Sequence, residues 1–211
     1  MRRLTNASTG RLGSVLAEAM AAAGHRVLLF RGDLATAPLP SGPVDIRPFG
    51  TNDDLARALA EEANRGTVDA VFHAAALCDY RVVSVLDAEG RPVSRRKIPS
   101  RSGDLMLRLA PATKVLPRLR EWYPGARLVG WKYELDGDRQ SVRMAALRQL
   151  SEARTDACVV NGRAWGPGFG LIDAGGAEEV WPDAPQLAAG LVRWLSGAEG
   201  ATQDQSSRPV A

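Results

Sequence analysis

Residues 6–30 read NASTGRLG, then SVLAEAMAAAG, then HRVLLF: a loop of small residues, an apolar-periodic stretch and a short apolar run. Leu12, Val15, Leu16, Ala19 and Ala23 recur at helical spacing, Ser8 or Thr9 can cap the helix, and Gly24 ends it. Residues 25–30 have the length and apolar density of a buried strand. A helix passing directly into a buried strand is the repeating unit of an α/β fold, and the chain beyond keeps to it.

Residues 44–49 read as a second strand, and Thr51 to Asp54 has capping-box spacing before a helix carrying Leu55, Ala58, Leu59 and Ala63. Residues 68–77 read as a buried strand. Residues 78–103 have no clear period and contain Arg95-Arg96-Lys97, which predicts a long exposed loop or flap. An edge strand at 105–109, a helix at 113–122 interrupted at Pro117, a strand at 127–133, a helix at 141–154 and a strand at 157–160 come next. A hairpin of 170–173 with 178–181 and a helix at 184–195 close the order. The expectation is a Rossmann-like, mostly parallel, doubly wound sheet over residues 1–196, with ligands at the carboxyl ends of its strands. Polar residues 197–211 are expected to be a disordered tail.

The 211 residues, 45% hydrophobic and 24% charged, suit one domain. The longest apolar stretches fall short of the roughly 18 residues of a membrane span, and the N-terminus lacks a signal peptide's apolar run, so a cytoplasmic protein is expected. Cys78 and Cys158 each lie in an apolar stretch without a nearby His or Cys, which predicts buried thiols rather than a zinc site or disulfide. The net charge of +3 comes from scattered arginines rather than a basic, aromatic-studded face, which disfavours nucleic acid and suits a small anionic ligand.

Two segments carry candidate chemistry. Asn6-Ala7-Ser8-Thr9-Gly10-Arg11-Leu12-Gly13 sets hydroxyls and glycines at a helix start, where unpaired N–H groups attract anions; it reads as a phosphate cradle or as an ordinary capped helix. The strand through Phe72 ends in Ala74-Ala75-Ala76-Leu77-Cys78-Asp79-Tyr80, small residues and then a carboxylate that could hold a ribose or base, or cap a turn. Of 27 basic residues only Lys97, Lys114 and Lys132 are lysine, leaving 27 − 3 = 24 arginines, and the two types are not interchangeable at a tight phosphate site.

Together these segments resemble the phosphopantothenoylcysteine synthetase (phosphopantothenate-cysteine ligase) family, the C-terminal domain of the bifunctional coenzyme A biosynthesis flavoprotein. Asn6-x-Ser8-Thr9-Gly10-Arg11-x-Gly13 is similar to its Asn-x-Ser-Ser-Gly-Lys-x-Gly loop, and Ala74 to Arg81 to its Ala-Ala-Ala-Val-Ala-Asp-Tyr-Arg strand end. Lys97-Ile98 resembles the start of its lysine flap, and Ser102-Gly103-Asp104 the end of that flap. Thr113-Lys114-Val115-Leu116 resembles Pro-Lys-Ile-Leu, Val129 to Glu134 resembles Val-Gly-Phe-Lys-x-Glu, and Asp156 to Asn161 resembles Asp-x-Ile-Val-Ala-Asn.

The resemblance implies ligation of 4'-phosphopantothenate to cysteine through an acyl-nucleotide, with CTP or ATP and Mg2+ as co-substrate. It implies catalytic roles for Asn6 and Lys97, nucleotide contacts from Gly10, Gly13, Ala75, Asp79, Lys97, Thr113, Lys114 and Trp131, and substrate contacts from Asn6, Ser8 and Asn161. It also implies a homodimer and a separate flavin-dependent decarboxylase as partner. The chain departs from the family in reading directly into the Asn6 loop without the family's preceding strand, in Pro99 and Ser100 where flap lysines stand, and in Arg148 and Arg154 near the place of two further lysines. Those departures leave a catalytically inactive nucleotide-binding relative or flavoprotein-associated module as the alternative. A Rossmann-type NAD(P) reductase would need a Tyr-x-x-x-Lys pair, which the sequence lacks.

Overall fold

The computed structural model describes residues 8–93 and 103–197. Helix α1 (Arg11–Ala22) leads into β1 (Val27–Gly32), which pairs in parallel with β2 (Val44–Phe49). Helix α2 (Asn52–Ala63) is capped by Thr51, whose side chain accepts from the Asp54 N–H, as the spacing predicts. Strand β3 (Ala70–His73) is shorter than residues 68–77, because Ala74 onward turns back on itself through Ala74 N–H to Phe72 O and Leu77 N–H to Ala75 O bonds.

The expected long flap is the largest correction. Residues 80–86 form a strand, β4 (Tyr80–Leu86), antiparallel to β5 (Met106–Pro111) with an irregularity between Val82 and Ser84. Its pairing partner lies some twenty residues away, and its residues Tyr80 to Val82 are exposed, so no hydrophobic alternation marks it. Pro117 breaks the next helix as expected: a 3-10 turn at Leu116–Arg118 precedes α3 (Leu119–Trp122). Strand β6 (Arg127–Tyr133), helix α4 (Arg139–Ala153), strands β7 (Ala157–Asn161), β8 (Phe169–Asp173) and β9 (Glu178–Trp181) and helix α5 (Ala184–Leu195) complete the order.

The strands form α/β layers of mixed sense. One sheet runs β3-β6-β7-β8-β9, parallel through β7 and antiparallel beyond; β1-β2 is a separate parallel pair, and β4-β5 a separate hairpin. The expected single, mostly parallel sheet is thus found in pieces. Strand alternation sends Val129, Ala157 and Val159 toward α1 and α5, where Leu16, Met20, Leu187 and Leu191 meet them. Cys158, Val160 and Ile172 face Val142, Ala146 and Leu150 of α4, and Leu128 faces a third cluster with Leu55, Leu59 and Leu119. Cys158 is fully buried, while Cys78 is only half-buried, and neither forms a disulfide. No described helix is long and apolar enough to cross a membrane.

Candidate functional site

Strands β3, β6 and β7 run parallel and end on one side of their sheet, and the loop before α1, the loop after β3 and the segment before α3 hold most of the predicted site residues that are described. The first is Gly10, which precedes α1 with φ of 75°, a conformation glycine adopts at little cost. A Cβ on Gly10 would also stand 2.9 Å from the Ala35 Cβ. Arg31, at the end of β1, holds that neighbouring loop down: its guanidinium donates to Ser14 Oγ at 3.0 Å, Ala35 O at 3.1 Å, Ala37 O and Pro38 O. Ala37 N–H in turn donates to Thr9 O at 2.9 Å, so the loop after β1 clamps the turn before α1. Neither hydroxyl caps α1 in the expected way: Gly10 is the N-cap, and Thr9 Oγ1 only receives a long bond from the Arg11 N–H.

Across the cleft, at the end of β3, a polar cluster joins three distant segments. Asn52, in the first turn of α2, donates from Nδ2 to both Cys78 O and Thr113 O at 2.9 Å each. Thr113 Oγ1 donates to Asp53, Lys114 Nζ pairs with Asp79, and Ala112 N–H donates to Asp79 O at 2.8 Å. Asp79 and Lys114 are 72% and 63% exposed, and an ion pair so wetted is worth about 0–1 kcal/mol, little enough for a charged ligand to replace either partner. Asn52 and Asp53 carry no signal in the sequence beyond their place in a capped helix start, since their partners lie 26 to 61 residues away.

Ser8, Gly10, Gly13, Ala75 and Thr113 line one cleft of about 1050 Å³, with Asp79 and Lys114 adjoining Thr113. The other predicted residues lie elsewhere. Trp131, on β6, packs into the α1–α5 core with an indole Nε1 that has no protein partner among the described residues. Asn161 ends β7, opposite Tyr133, and its carbonyl accepts from Glu134 N–H. Lys132 pairs with Glu134 at 3.3 Å. Asn6 and Lys97 lie outside the described residues. His73, the last residue of β3, is among the residues lining the cleft; it is pushed down to about 4 by burial, so it is neutral at pH 7. Among the described residues no three His, Cys, Asp or Glu side chains stand together as metal ligands.

Residues 1–174 match the family described as the DNA/pantothenate metabolism flavoprotein C-terminal domain. The bifunctional coenzyme A biosynthesis protein CoaBC of Thermococcus kodakarensis is 30% identical over 164 residues, covering 76% of this chain and 37% of that protein. CoaBC of Bacillus subtilis is 29% identical over 171 residues, covering 81% and 38%. The chain therefore spans under two fifths of these relatives. Among solved structures, the DNA/pantothenate metabolism flavoprotein from Streptococcus pneumoniae superposes with a TM-score of 0.80 at 22% identity, covering 94% of this chain and 93% of that one. A Cab2 variant in complex with phosphopantothenate-cysteine superposes with a TM-score of 0.69 at 16% identity, covering 94% and 82%.

Proposed function

The chain belongs to the DNA/pantothenate metabolism flavoprotein C-terminal domain family, that of the phosphopantothenate-cysteine ligase domains, and we propose that it is itself a nucleotide-dependent amide ligase. In this reading a carboxylate oxygen of 4'-phosphopantothenate attacks the α-phosphorus of CTP or ATP, and the bond to pyrophosphate breaks. The amine of cysteine then attacks the acyl carbon, the bond to the nucleotide oxygen breaks, and nucleoside monophosphate leaves as the amide forms. Such a protein acts by positioning the reactants and stabilising charge at phosphorus and at the tetrahedral carbon.

The observation that carries the reading is the pairing of a glycine-lined helix start, Gly10 to Gly13, with the Asp79–Lys114–Thr113–Asp53 cluster on one cleft. The first suits phosphates. The second suits a nucleoside, with Asp79 accepting from hydroxyl or amino groups and Lys114 released toward phosphate. Mg2+ fits as a companion of the triphosphate, since it is commonly held by phosphates and water rather than by a protein cage. Asn6 and Lys97 keep the roles that the motif gives them, Asn6 toward the acyl-nucleotide and Lys97 toward the triphosphate. Trp131 and Asn161 remain part of the proposal on the same ground.

Pyrophosphate release with nucleotide, 4'-phosphopantothenate and cysteine tests it. Release should require both acyl and amine substrates for sustained turnover, and Asn6→Asp and Lys97→Gln should each cut the rate on the order of a hundredfold. Nucleotide binding should persist in Asn6→Asp and weaken in Lys97→Gln. A wild-type protein that binds nucleotide but releases no pyrophosphate is instead the inactive nucleotide-binding relative, a reading favoured by the separation of β1 from β3.

A further inference from the structure

Asp79 and Lys114 meet from segments 35 residues apart in sequence. Both side chains are mostly exposed, so their ion pair alone is too weak to bring those segments together. Asn52 is placed to set the distance between the two charges: its Nδ2 donates to Cys78 O and to Thr113 O at 2.9 Å each. Those are the carbonyls of the residues immediately before Asp79 and immediately before Lys114. One nitrogen thus grips the two segments one peptide short of each charged residue, and Ala112 N–H, donating to Asp79 O at 2.8 Å, joins them again through the backbone.

The chemistry of this grip is narrow. Two carbonyls within bonding distance of one atom require a donor with two hydrogens, and a primary amide carries both on one planar nitrogen, whereas a hydroxyl offers one and a carboxylate none. The amide's orientation follows too, since its oxygen turned to the same place would face two acceptors. Asn52 is itself well fixed. It is the first residue of α2, after the Thr51 cap, and Leu55 and Leu59 of the same helix pack in a buried cluster with Val115 and Leu119. Val115 directly follows Lys114, and Thr113 Oγ1 donates to Asp53, so the segment before α3 is tied to α2 on either side of Lys114. The other segment runs through Ala74, Ala75 and Ala76, with only methyl side chains for anchorage, and the bond from Asn52 to Cys78 O refers Asp79 to the same helix.

We propose that Asn52 is a positioning residue for nucleotide binding, one that acts through Asp79 and Lys114 rather than by its own contact with the ligand. It holds the backbone beneath the two charges at the separation in which Asp79 meets the nucleoside and Lys114 the phosphate. A rigid helix start carrying one amide is what a site needs to keep two loop-borne groups in register. The inference rests on the reading of the cleft as a nucleotide site, and deepens it at the Asp79 end.

Titration calorimetry with magnesium-CTP and magnesium-ATP, on a double-mutant cycle of Asn52→Ala with Asp79→Ala, separates this role from a structural one. With the better-bound nucleotide, each single change should raise Kd on the order of tenfold, the scale of a lost hydrogen bond. The loss in the double variant should fall at least about threefold short of the product of the two, because Asn52 then has one group fewer to position. Asn52→Asp is the companion variant: it keeps the side-chain shape, removes both hydrogens and adds a negative charge that a helix start favours. Helix α2 should therefore fold in it, while Kd rises at least as far as in Asn52→Ala. Losses that simply multiply overturn the proposal, as does wild-type affinity in either Asn52 variant. Loss of fold in both variants, read by circular dichroism, overturns it too and makes Asn52 a structural residue. A wild-type protein that binds neither nucleotide at millimolar concentration is a distinct result, which removes the nucleotide site and this inference with it.

Discussion

At the scale of single residues, the site is set by side chains that bond backbone far from themselves in sequence. Asn52 holds Cys78 O and Thr113 O, and Arg31 holds a whole loop by its carbonyls, yet nothing in the sequence around either marks it, because a donor's partner is fixed only by the fold. Gly10 was legible as a helix-start glycine, although its need to clear Ala35 was not. His73 makes stability depend on pH. Burial lowers it from an ordinary value near 6.5 to about 4, so between those values the unfolded chain binds a proton that the folded one refuses. Its contribution to stability is whole above pH 6.5 and is lost as pH falls toward 4, by up to about 1.4 kcal/mol per pH unit. Urea unfolding from pH 7.5 to 4.5 should therefore show a steeper loss in the native protein than in His73→Gln. Parallel slopes in the two proteins would mean that His73 titrates normally.

At the scale of elements, legibility followed periodicity. The helices α1, α2, α4 and α5 and the buried strands β6 and β7 carry one-sided or continuous apolar patterns and were readable to within a few residues. Strand β4 was not, because a hairpin strand exposed on one face needs its partner to be recognised. That hairpin now accounts for an otherwise unexplained surface. Tyr80, Val82, Leu107 and Leu109 are each at least 40% exposed, and Val82 stands opposite Leu109 in the register. By alternation they share one face, and contiguous apolar faces of this kind are usually covered by a partner. We expect a homodimer through β4–β5. Sedimentation at micromolar concentrations should give a dimer for the native protein, and Leu107→Lys with Leu109→Lys should give a folded monomer. A native protein that stays monomeric throughout that range removes the hairpin as an interface.

At the scale of the molecule, the cleft divides the structure into two parts that meet through helices rather than through a continuous sheet. On one side stand β1, β2 and the turn at Gly10; on the other stand β3, the Asn52–Thr113 junction and the Asp79–Lys114 pair. A nucleotide with its phosphates at α1 and its base near Asp79 touches both parts, so it binds only the arrangement that the native state provides. Such a ligand stabilises by mass action, about 2.7 kcal/mol at a hundredfold excess over Kd, or on the order of 5 °C in Tm for a chain of this size. Millimolar magnesium-CTP or magnesium-ATP should therefore raise Tm, one of the two more than the other if the base is read. The absence of any shift would count against the ligase and the nucleotide-binding relative alike, leaving the polar cluster at Asn52 as a structural junction between α2, β4 and the segment before α3.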